Sequence, residues 1–260
     1  MKARVQWAVS VVRGKIAFFE EHLGNVSSTF KEDQTRVTPA DLELSATIME
    51  ALKERFPLDH FCSEETAEAE PFDLTSRFSW VLDPVDGTNN YIMGLSTCCI
   101  SLALLEDGMP IYGIIYDSLT KSLIQGGPAC GTWDGDKQVT LDPDRSFGRL
   151  SYTALQFPLP EAVLNKLLPF MEKHRSRNFG TGALNLTYAA LGRFDGSISF
   201  NVKVWDIAAA YALLQAGGGQ FHFFEESVFP LKRFHPKIAP FIGYYAGTSA
   251  FCSYIQELLN

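Results

Sequence analysis

The sequence predicts a mixed α and β fold in two lobes, an N-terminal α+β lobe over residues 1–147 and a C-terminal α/β lobe over residues 148–260. Two observations lead to this prediction. In the first part, helical segments precede a run of short apolar segments joined by turn residues, which is typical of an antiparallel meander. In the second part, strand patterns alternate with helical patterns, which is typical of an α/β arrangement. The polar stretch LDPDRSFGR separates the two parts.

The N-terminal segment predicts two neighbouring helices. Residues 1–24 place charged and apolar residues at helical spacing, which indicates an amphipathic first helix. A second helix is expected to begin after Thr38, a favoured N-cap residue, with Pro39 in the first helical position and Asp41 in the first turn. It is expected to continue to Phe56 and to lie beside the first helix.

The apolar segments that follow predict the meander. Turn residues in EDGMP, DSLTK and WDGD join them, and no helical pattern lies between them. The expected strands are residues 78–82, 97–105, 111–116 and 123–126.

The C-terminal part predicts strands and helices in alternation. Glycines end two of its helices, Gly192 the first and Gly217 to Gly219 the second. The expected order is strand LSYTAL, helix 161–174, helix 182–191, strand SISF, helix 206–216, strand QFHFF, and a final strand and helix.

Composition argues against several classes of protein. Thirty acidic residues against 22 basic ones give a formal charge of −8, so a broad nucleic-acid footprint is not expected. No run approaches the roughly 20 apolar residues of a membrane span. The first residues contain no apolar core of signal-peptide length, which predicts a cytoplasmic protein. The five cysteines form no CxxC pair and are expected to be reduced core thiols.

Acidic residues stand at the edges of apolar segments and predict a metal site. Asp83 and Asp86 end a strand in WVLDPVDGTNN, Glu65 follows Glu64 in the upstream CSEET, and Asp206 opens a helix downstream. An aspartate before a proline and a glycine turn is also common in ordinary loops. If the carboxylates converge, each pair about 4 Å apart costs on the order of 4 kcal/mol at an effective dielectric of about 20, so cations are required. An all-oxygen ligand set favours Mg²⁺, Mn²⁺ or Ca²⁺ over Zn²⁺.

The DGTNN segment adds a phosphate site beside those carboxylates. Gly87 permits a close backbone approach, and a helical turn that starts at Gly87 and Thr88 presents backbone N–H groups to an anion. Metal ions next to such a turn suit the hydrolysis of a phosphate monoester by activated water, without a side-chain nucleophile.

The segment DPVDGTNN, the upstream SEE and the downstream WDIAAA together resemble the inositol monophosphatase family, within the Mg²⁺-dependent, lithium-sensitive phosphatases. The motifs run in order from residue 31 to residue 219. The resemblance implies a layered αβαβα sandwich and a homodimer. It implies two or three Mg²⁺ ions, with Mn²⁺ as an alternative, and a small polyol or sugar phosphate as substrate.

Carried over by position, the resemblance also implies roles for individual residues. One metal would be held by Glu65, Asp83 and the backbone carbonyl of Val85, and a second by Asp83, Asp86 and Asp206. Glu65 and Thr88 would orient the attacking water. The phosphate would be bound by backbone amides of Gly87 and Thr88, and the segment GTGALN would line the substrate pocket with Gly180, Thr181 and Gly182.

Two positions depart from the family pattern. Many relatives carry a carboxylate two residues before the Val-Thr pair, where it partners the threonine; this chain has Thr35 there, and Asp33 is the expected substitute. Inositol-acting members carry a glutamate seven residues before the WD aspartate, and here that position is Ser199. Lys203 is expected either to contact a second anionic group of a larger substrate or to be a surface lysine.

The sequence leaves several functions open. A 3′-phosphoadenosine 5′-phosphate, fructose-1,6-bisphosphate or histidinol phosphate phosphatase of the same family is an alternative to the polyol phosphatase. A relative that binds metal or phosphometabolite without turnover is another, and a structural Ca²⁺ site is a third.

Overall fold

The structure is a computed structural model, and it describes residues 1–31, 34–65, 71–235 and 240–259. The helices of these residues are α1 (Lys2–His22), α2 (Pro39–Arg55), α3 (Thr88–Met93), α4 (Glu161–Lys173), α5 (Gly182–Ala190), α6 (Val204–Ala216) and α7 (Ser249–Leu259). The strands are β1 (Thr29–Phe30), β2 (Arg36–Val37), β3 (His60–Ser63), β4 (Phe72–Asp73), β5 (Phe78–Asp86), β6 (Cys99–Glu106), β7 (Met109–Asp117), β8 (Ser122–Gly127), β9 (Gly131–Asp134), β10 (Lys137–Val139), β11 (Tyr152–Leu155), β12 (Arg175–Arg177), β13 (Gly196–Val202), β14 (Gln220–Phe223), β15 (Arg233–Phe234) and β16 (Ile242–Gly247). None of these helices combines the length and the apolar character needed to cross a membrane.

The elements stack in five layers. Helices α1 and α2 pack on the outer face of a seven-stranded sheet with the order β10-β9-β8-β7-β6-β5-β3. Helices α5 and α6 lie between this sheet and a five-stranded sheet with the order β12-β11-β13-β16-β14. Helices α4 and α7 form the last layer. This arrangement confirms the layered αβαβα sandwich.

Three apolar cores hold the layers together. The first lies between α1, α2 and the large sheet, and it includes Phe19, Ile48 and Trp80. The second surrounds the middle helices, and the third joins the small sheet to α4 and α7. The middle helices are apolar on all sides because they are covered by a sheet on both faces.

The predicted helices and strands are present, with small shifts at their ends. Thr38 caps α2 as expected: its hydroxyl accepts a hydrogen bond from the Asp41 backbone N–H, and the Asp41 carboxylate accepts one from the Thr38 backbone N–H. The antiparallel meander from β5 to β10 is also confirmed. The division into lobes near residue 147 stays a prediction.

Strand β3 is an element that the sequence pattern did not reveal, because HFCS is short and lacks alternation. It pairs with β5 in parallel, so the large sheet is not a pure meander. Its last residue, Ser63, lies opposite Leu82, and the Glu64 backbone N–H donates to the Leu82 carbonyl at 3.1 Å. The parallel pairing therefore brings Glu64 to the same sheet edge as Asp83.

Gly113 fixes the distance between the large sheet and α6. A Cβ atom at Gly113 would lie 2.1 Å from the carbonyl oxygen of Ala209 on α6. Helix and strand can approach this closely only where no side chain separates them. Since α6 begins two residues before Asp206, this contact helps to set the position of Asp206 above β5 and β6.

We therefore expect Gly113→Ala to lower the free energy of unfolding by about 1–3 kcal/mol or more. The added methyl group would overlap the backbone of Ala209, which cannot rotate away as a side chain can. Urea denaturation measures the change. Gly14→Ala is the matched control: Gly14 is exposed in α1 and nothing lies within 4 Å of its added Cβ, so a gain of about 0.5–1 kcal/mol is expected. Equal stability of the two variants would contradict this account.

Candidate metal and phosphate site

Three aspartates converge where the large sheet meets the middle helices. Asp83 and Asp86 come from the end of β5, and Asp206 comes from the first turn of α6. One carboxylate oxygen of each lies within 4.8 Å of the others. Asp83 is 2% exposed and Asp86 is 8% exposed. The predicted convergence of these three carboxylates is therefore present in the fold.

Backbone donors from residues close in sequence hold Asp83 and Asp206 in place. Asp83 Oδ1 accepts a hydrogen bond from the Val85 backbone N–H at 3.1 Å. Asp206 Oδ2 accepts one from the Lys203 backbone N–H at 2.7 Å, which caps α6. The Asp83 and Asp206 carboxylates also lie within 4.8 Å of each other, so this spot attracts positive charge.

Asp86 is held by the N-terminus of α5. Its carboxylate accepts hydrogen bonds from the Thr181 hydroxyl, from the Gly182 N–H at 3.3 Å and from the Ala183 N–H at 2.6 Å. A Cβ at Gly182 would lie 2.9 Å from the Asp206 Cβ, so only glycine lets α5 begin this close to Asp206. Thr181 and Gly182, predicted as pocket residues, are thus placed behind Asp86, where they orient its carboxylate.

Burial dominates the electrostatics of the cluster. It raises the pKa values of Asp83 and Asp206 well above the ordinary aspartate value, and nearby negative charges add to the effect. For Asp86, burial raises the pKa to about 6, although the hydrogen bonds from Thr181 and Ala183 oppose this shift. The charge of Glu64 contributes in the same direction as burial at all three aspartates.

A cleft opens at this site. Among the described residues that line it, the glutamate is Glu64 and not Glu65. Lys31 contacts both: its Nζ lies 2.8 Å from Glu64 Oε1 and 2.5 Å from Glu65 Oε1. Burial, followed by the charge of Glu64, raises the pKa of Glu65 to about 7. The ligand role of Glu65 stays a prediction, and its neighbour Glu64 is a second candidate for that role. Motif spacing alone does not separate adjacent glutamates, whereas the lining of the cleft does.

The Thr88 hydroxyl contacts the carboxylate of Asp41, a residue that the sequence analysis placed only in the first turn of α2. The Thr88 hydroxyl lies 3.4 Å from Asp41 Oδ1 and 3.0 Å from the Val85 carbonyl. Asp41 is fully buried, and burial raises its pKa to about 6. The carboxylate expected near Thr35 is thus supplied by the capping residue of α2. Asp33, the expected substitute, lies outside the described residues.

Gly87 and Gly180 allow the DGTNN turn and the segment that leads into α5 to approach each other closely. Gly87 caps α3 with φ +88°, and its added Cβ would lie 3.0 Å from the Thr97 carbonyl. Asn90 Nδ2 donates to that same carbonyl at 2.7 Å and to the Phe179 carbonyl at 2.6 Å. Gly180, with φ +71°, packs directly on Asn90. Asn90 thereby ties the DGTNN turn to the segment that leads into α5.

These residues surround a cleft of about 470 Å³. We call its carboxylates, Glu64, Asp83, Asp86 and Asp206, the acidic floor. Val85, Gly87, Thr88, Gly180 and Lys203 line the same cleft, as predicted for a common site. Ser199 is fully buried beside it, and its hydroxyl lies 3.2 Å from Asn201 Oδ1, while Asn201 itself lines the cleft.

Comparison with known proteins points to one family. The model of the inositol monophosphatase family matches residues 2–255. The chain is 30% identical over 206 residues to the Nus factor SuhB of Pasteurella multocida, with 76% of each chain covered. It is 26% identical over 191 residues to inositol monophosphatase 1 of Sus scrofa, covering 70% of this chain and 69% of that protein.

Solved structures show the same fold. An IMPase of Thermotoga maritima superposes with a TM-score of 0.83 at 20% identity, covering 99% of this chain and 97% of that chain. An IMPase/NADP phosphatase complexed with Mg²⁺ and phosphate superposes with a TM-score of 0.81 at 20% identity, covering 96% of this chain and 92% of that chain.

The geometry yields a test that needs no substrate. If Mg²⁺ binds at the acidic floor, saturating Mg²⁺ at about 100 times Kd stabilises the protein by about 2.7 kcal/mol, which is roughly 5 °C or more in Tm. We expect Glu64→Gln and Asp206→Asn to remove at least half of this shift, and Glu65→Gln to keep most of it. Differential scanning fluorimetry with and without Mg²⁺ measures the shift.

The control variant is Asp144→Asn, which changes an exposed carboxylate outside the cleft and should leave the Mg²⁺ shift intact. Loss of the shift in Glu65→Gln, together with its retention in Glu64→Gln, would reverse the assignment of the two glutamates.

Proposed function

We propose that this chain, which belongs to the inositol monophosphatase family, is a Mg²⁺-dependent phosphomonoesterase that hydrolyses a small phosphate ester with activated water. The observation that carries the proposal is the convergence of two buried carboxylates, Asp83 and Asp86, and the partly buried Asp206 beside the DGTNN turn in one cleft. The Thr88 hydroxyl on that turn contacts a buried carboxylate, an arrangement suited to holding water next to a phosphate.

The acidic floor fits hard divalent ions. Its donors are carboxylate oxygens, which Mg²⁺ and Mn²⁺ prefer, and the closeness of the Asp83 and Asp206 carboxylates favours positive charge between them. We assign Asp83, Asp86 and Asp206 as ligands, with Glu64 as the glutamate and the Val85 carbonyl as a further donor. Mg²⁺ bound there would polarise the phosphoryl oxygens and lower the pKa of nearby water.

Thr88 and Asp41 would orient the attacking water. A threonine hydroxyl that donates to a carboxylate has its lone pairs available to accept a hydrogen bond from water. Asp41 is fixed by the Thr38 backbone N–H at 2.9 Å and by the Thr38 hydroxyl at 2.5 Å, so it cannot turn away. Backbone N–H groups of Gly87 and Thr88 remain our predicted phosphate donors. A positioned proton acceptor of this kind contributes about 10²–10⁴-fold to a rate.

The substrate is proposed at the level of chemical class. The family and the pig relative named inositol monophosphatase favour a polyol or sugar phosphate. Against strict inositol selectivity, the position expected to read inositol hydroxyls holds Ser199, which is buried. Phosphoadenosine, fructose bisphosphate and histidinol phosphate phosphatases therefore remain alternatives. Cytoplasmic location, lithium sensitivity and the homodimer remain predictions.

A second candidate is a protein that binds metal and phosphometabolite without turnover. The name of the Pasteurella multocida relative, Nus factor SuhB, is not that of a phosphatase. The retention of the acidic floor together with the Thr88–Asp41 contact favours turnover, because metal binding alone does not require an oriented hydroxyl.

A panel of phosphate monoesters, assayed with and without Mg²⁺ and Li⁺, tests the proposal. We expect phosphate release that depends on Mg²⁺. Asp86→Asn and Asp206→Asn should each lower kcat by about 100-fold or more, because several kcal/mol of transition-state stabilisation depend on the metal site. Circular dichroism should show that both variants are folded. Absence of Mg²⁺-stimulated release from every ester would favour the binding protein.

Thr88 offers a test of water orientation separate from metal binding. Thr88→Ala should lower kcat by about 10²–10⁴-fold, whereas Thr88→Ser keeps the hydroxyl and should stay within about tenfold of the original protein. The Mg²⁺-induced shift in Tm should persist in both variants, since neither change removes a carboxylate. A Thr88→Ala variant with nearly normal kcat would remove Thr88 from the mechanism.

A further inference from the structure

Lys31 places an ammonium group against the two adjacent glutamates beside the cleft. Its Nζ lies 2.8 Å from Glu64 Oε1 and 2.5 Å from Glu65 Oε1. The three side chains are largely buried, since 22% of Lys31, 19% of Glu64 and 7% of Glu65 is exposed. Solvent therefore screens these ion pairs poorly, and removing one partner leaves a buried charge without compensation.

The ammonium group of Lys31 stays charged in these surroundings. Burial by itself would lower the pKa of Lys31, but the charges of Glu64 and Glu65 and their hydrogen bonds outweigh burial and raise this pKa. Lys31 is therefore a cation at any pH near neutrality.

Lys31 differs in its contacts from Arg36, another cation close to the cleft. Arg36 lines the cleft, and it contacts the Phe30 ring, whose centroid lies 4.7 Å from its Cζ, and Ser28 Oγ at 2.9 Å. Lys31 contacts a carboxylate of the acidic floor, that of Glu64. Its ammonium group therefore neutralises charge that a metal ion at the floor would also neutralise.

The main chain of the two glutamates is held in place without the ammonium group. The Glu64 backbone N–H donates to the Leu82 carbonyl at 3.1 Å, and the Glu65 backbone N–H donates to Ser63 Oγ at 3.3 Å. Ser63 Oγ lies 2.7 Å from Ser45 Oγ on α2, and both serines are buried. These bonds fix the turn after β3, so Lys31 serves the glutamates as a counter-ion and not as their support.

Glu65 offers the ammonium group a partner that remains when Glu64 binds a metal ion. A divalent ion at Glu64 would repel the ammonium group, because like charges a few ångströms apart destabilise each other. The lysine side chain has a flexible four-carbon stem, so Nζ can give up one carboxylate and keep the other. Glu65 is not among the described residues that line the cleft, and it can hold Lys31 away from the ion.

Resting on the metal site of the proposed function, we propose that Lys31 is an internal cation that competes with a divalent metal ion for Glu64 and lowers the affinity of the site for that ion. In the metal-free protein, the ammonium group neutralises Glu64 and helps the fold to tolerate the acidic floor. When the ion binds, the ammonium group keeps its contact with Glu65 alone. The measured affinity is reduced because only molecules in which Lys31 has left Glu64 bind the ion.

Calorimetric titration with Mg²⁺ tests this competition without a substrate. Lys31→Met keeps the apolar stem and removes the charge, so the Kd for Mg²⁺ should fall about fivefold or more. Lys31→Arg keeps the charge, and its Kd should stay within about twofold of that of the original protein. The matched control is Arg36→Met, which removes a cation that contacts the Phe30 ring, and it should change Kd by less than about twofold.

A double-mutant cycle assigns the effect to the contact between Lys31 and Glu64. Glu64→Gln removes the carboxylate for which the two cations compete, so adding Lys31→Met to Glu64→Gln should change Kd by less than about twofold. A change as large as that in the original protein would contradict competition at Glu64.

Thermal unfolding separates competition from a purely structural role of Lys31. Without Mg²⁺, Lys31→Met should have a lower Tm than the original protein, because Glu64 and Glu65 lose their counter-ion. With saturating Mg²⁺ the difference in Tm should shrink, since the ion replaces the lost charge. A structural role alone would lower Tm equally in both conditions.

The outcomes separate this inference from the proposed function. An unchanged or raised Kd in Lys31→Met would overturn the competition, while Mg²⁺ binding to the original protein would leave the phosphatase proposal intact. Binding by Lys31→Met alone would support the competition. If neither protein binds Mg²⁺, the metal site and the competition both fail. If Mg²⁺ binds but no ester is hydrolysed, only turnover is excluded, and the two Kd values still decide the role of Lys31.

Discussion

The repulsion between buried carboxylates at the junction of β5 and α6 is the constraint on which the site depends. Asp83, Asp86 and Asp206 are brought within 4.8 Å of one another in surroundings that raise all three pKa values. A fold can tolerate this only if fixed donors and cations compensate for the lost hydration. Helix N-termini supply the fixed part. Helix α5 begins at Gly182 beside Asp86, and α6 begins at Val204 with Asp206 in its first turn, so the positive ends of two helices lie at the carboxylate cluster.

These donors compensate only partly for the lost hydration, and the negative charge that remains favours binding of a cation. Asp86, with donors from Thr181, Gly182 and Ala183, has a pKa raised only to about 6. Asp83 and Asp206 have fewer donors, and the pKa of each is raised well above its ordinary value. The space between these two carboxyl groups is therefore where positive charge stabilises the site most. A divalent ion there would satisfy both carboxylates at once.

Sequence reasoning succeeded where the signal was local and failed where it depended on pairing between distant segments. The cap at Thr38, the DPVDGTNN turn and the aspartate of α6 each carry a short pattern with a direct physical meaning, and all were placed correctly. The finding that Glu64, rather than Glu65, lines the cleft depends on the path of the chain after β3, which no local pattern encodes. Asp41 was recognised as a residue of the α2 cap, but its second contact, to Thr88, joins segments 47 residues apart. When a local pattern already explains a residue, as the α2 cap explains Asp41, the sequence carries no further signal for a contact with a distant segment.

The site consists of a floor held by buried elements and an entrance held by few packing contacts. Substitutions in the two parts therefore have different consequences. The floor residues Asp83, Asp86 and Asp206 lie at the ends of β5 and α6, elements buried on both faces, so close packing fixes their geometry. The entrance is built from the two-residue strands β1 and β2 and from the residue before β16, which few packing contacts constrain. A change of residue at the entrance therefore costs little stability, whereas a change at the floor disturbs helix caps and charge balance together.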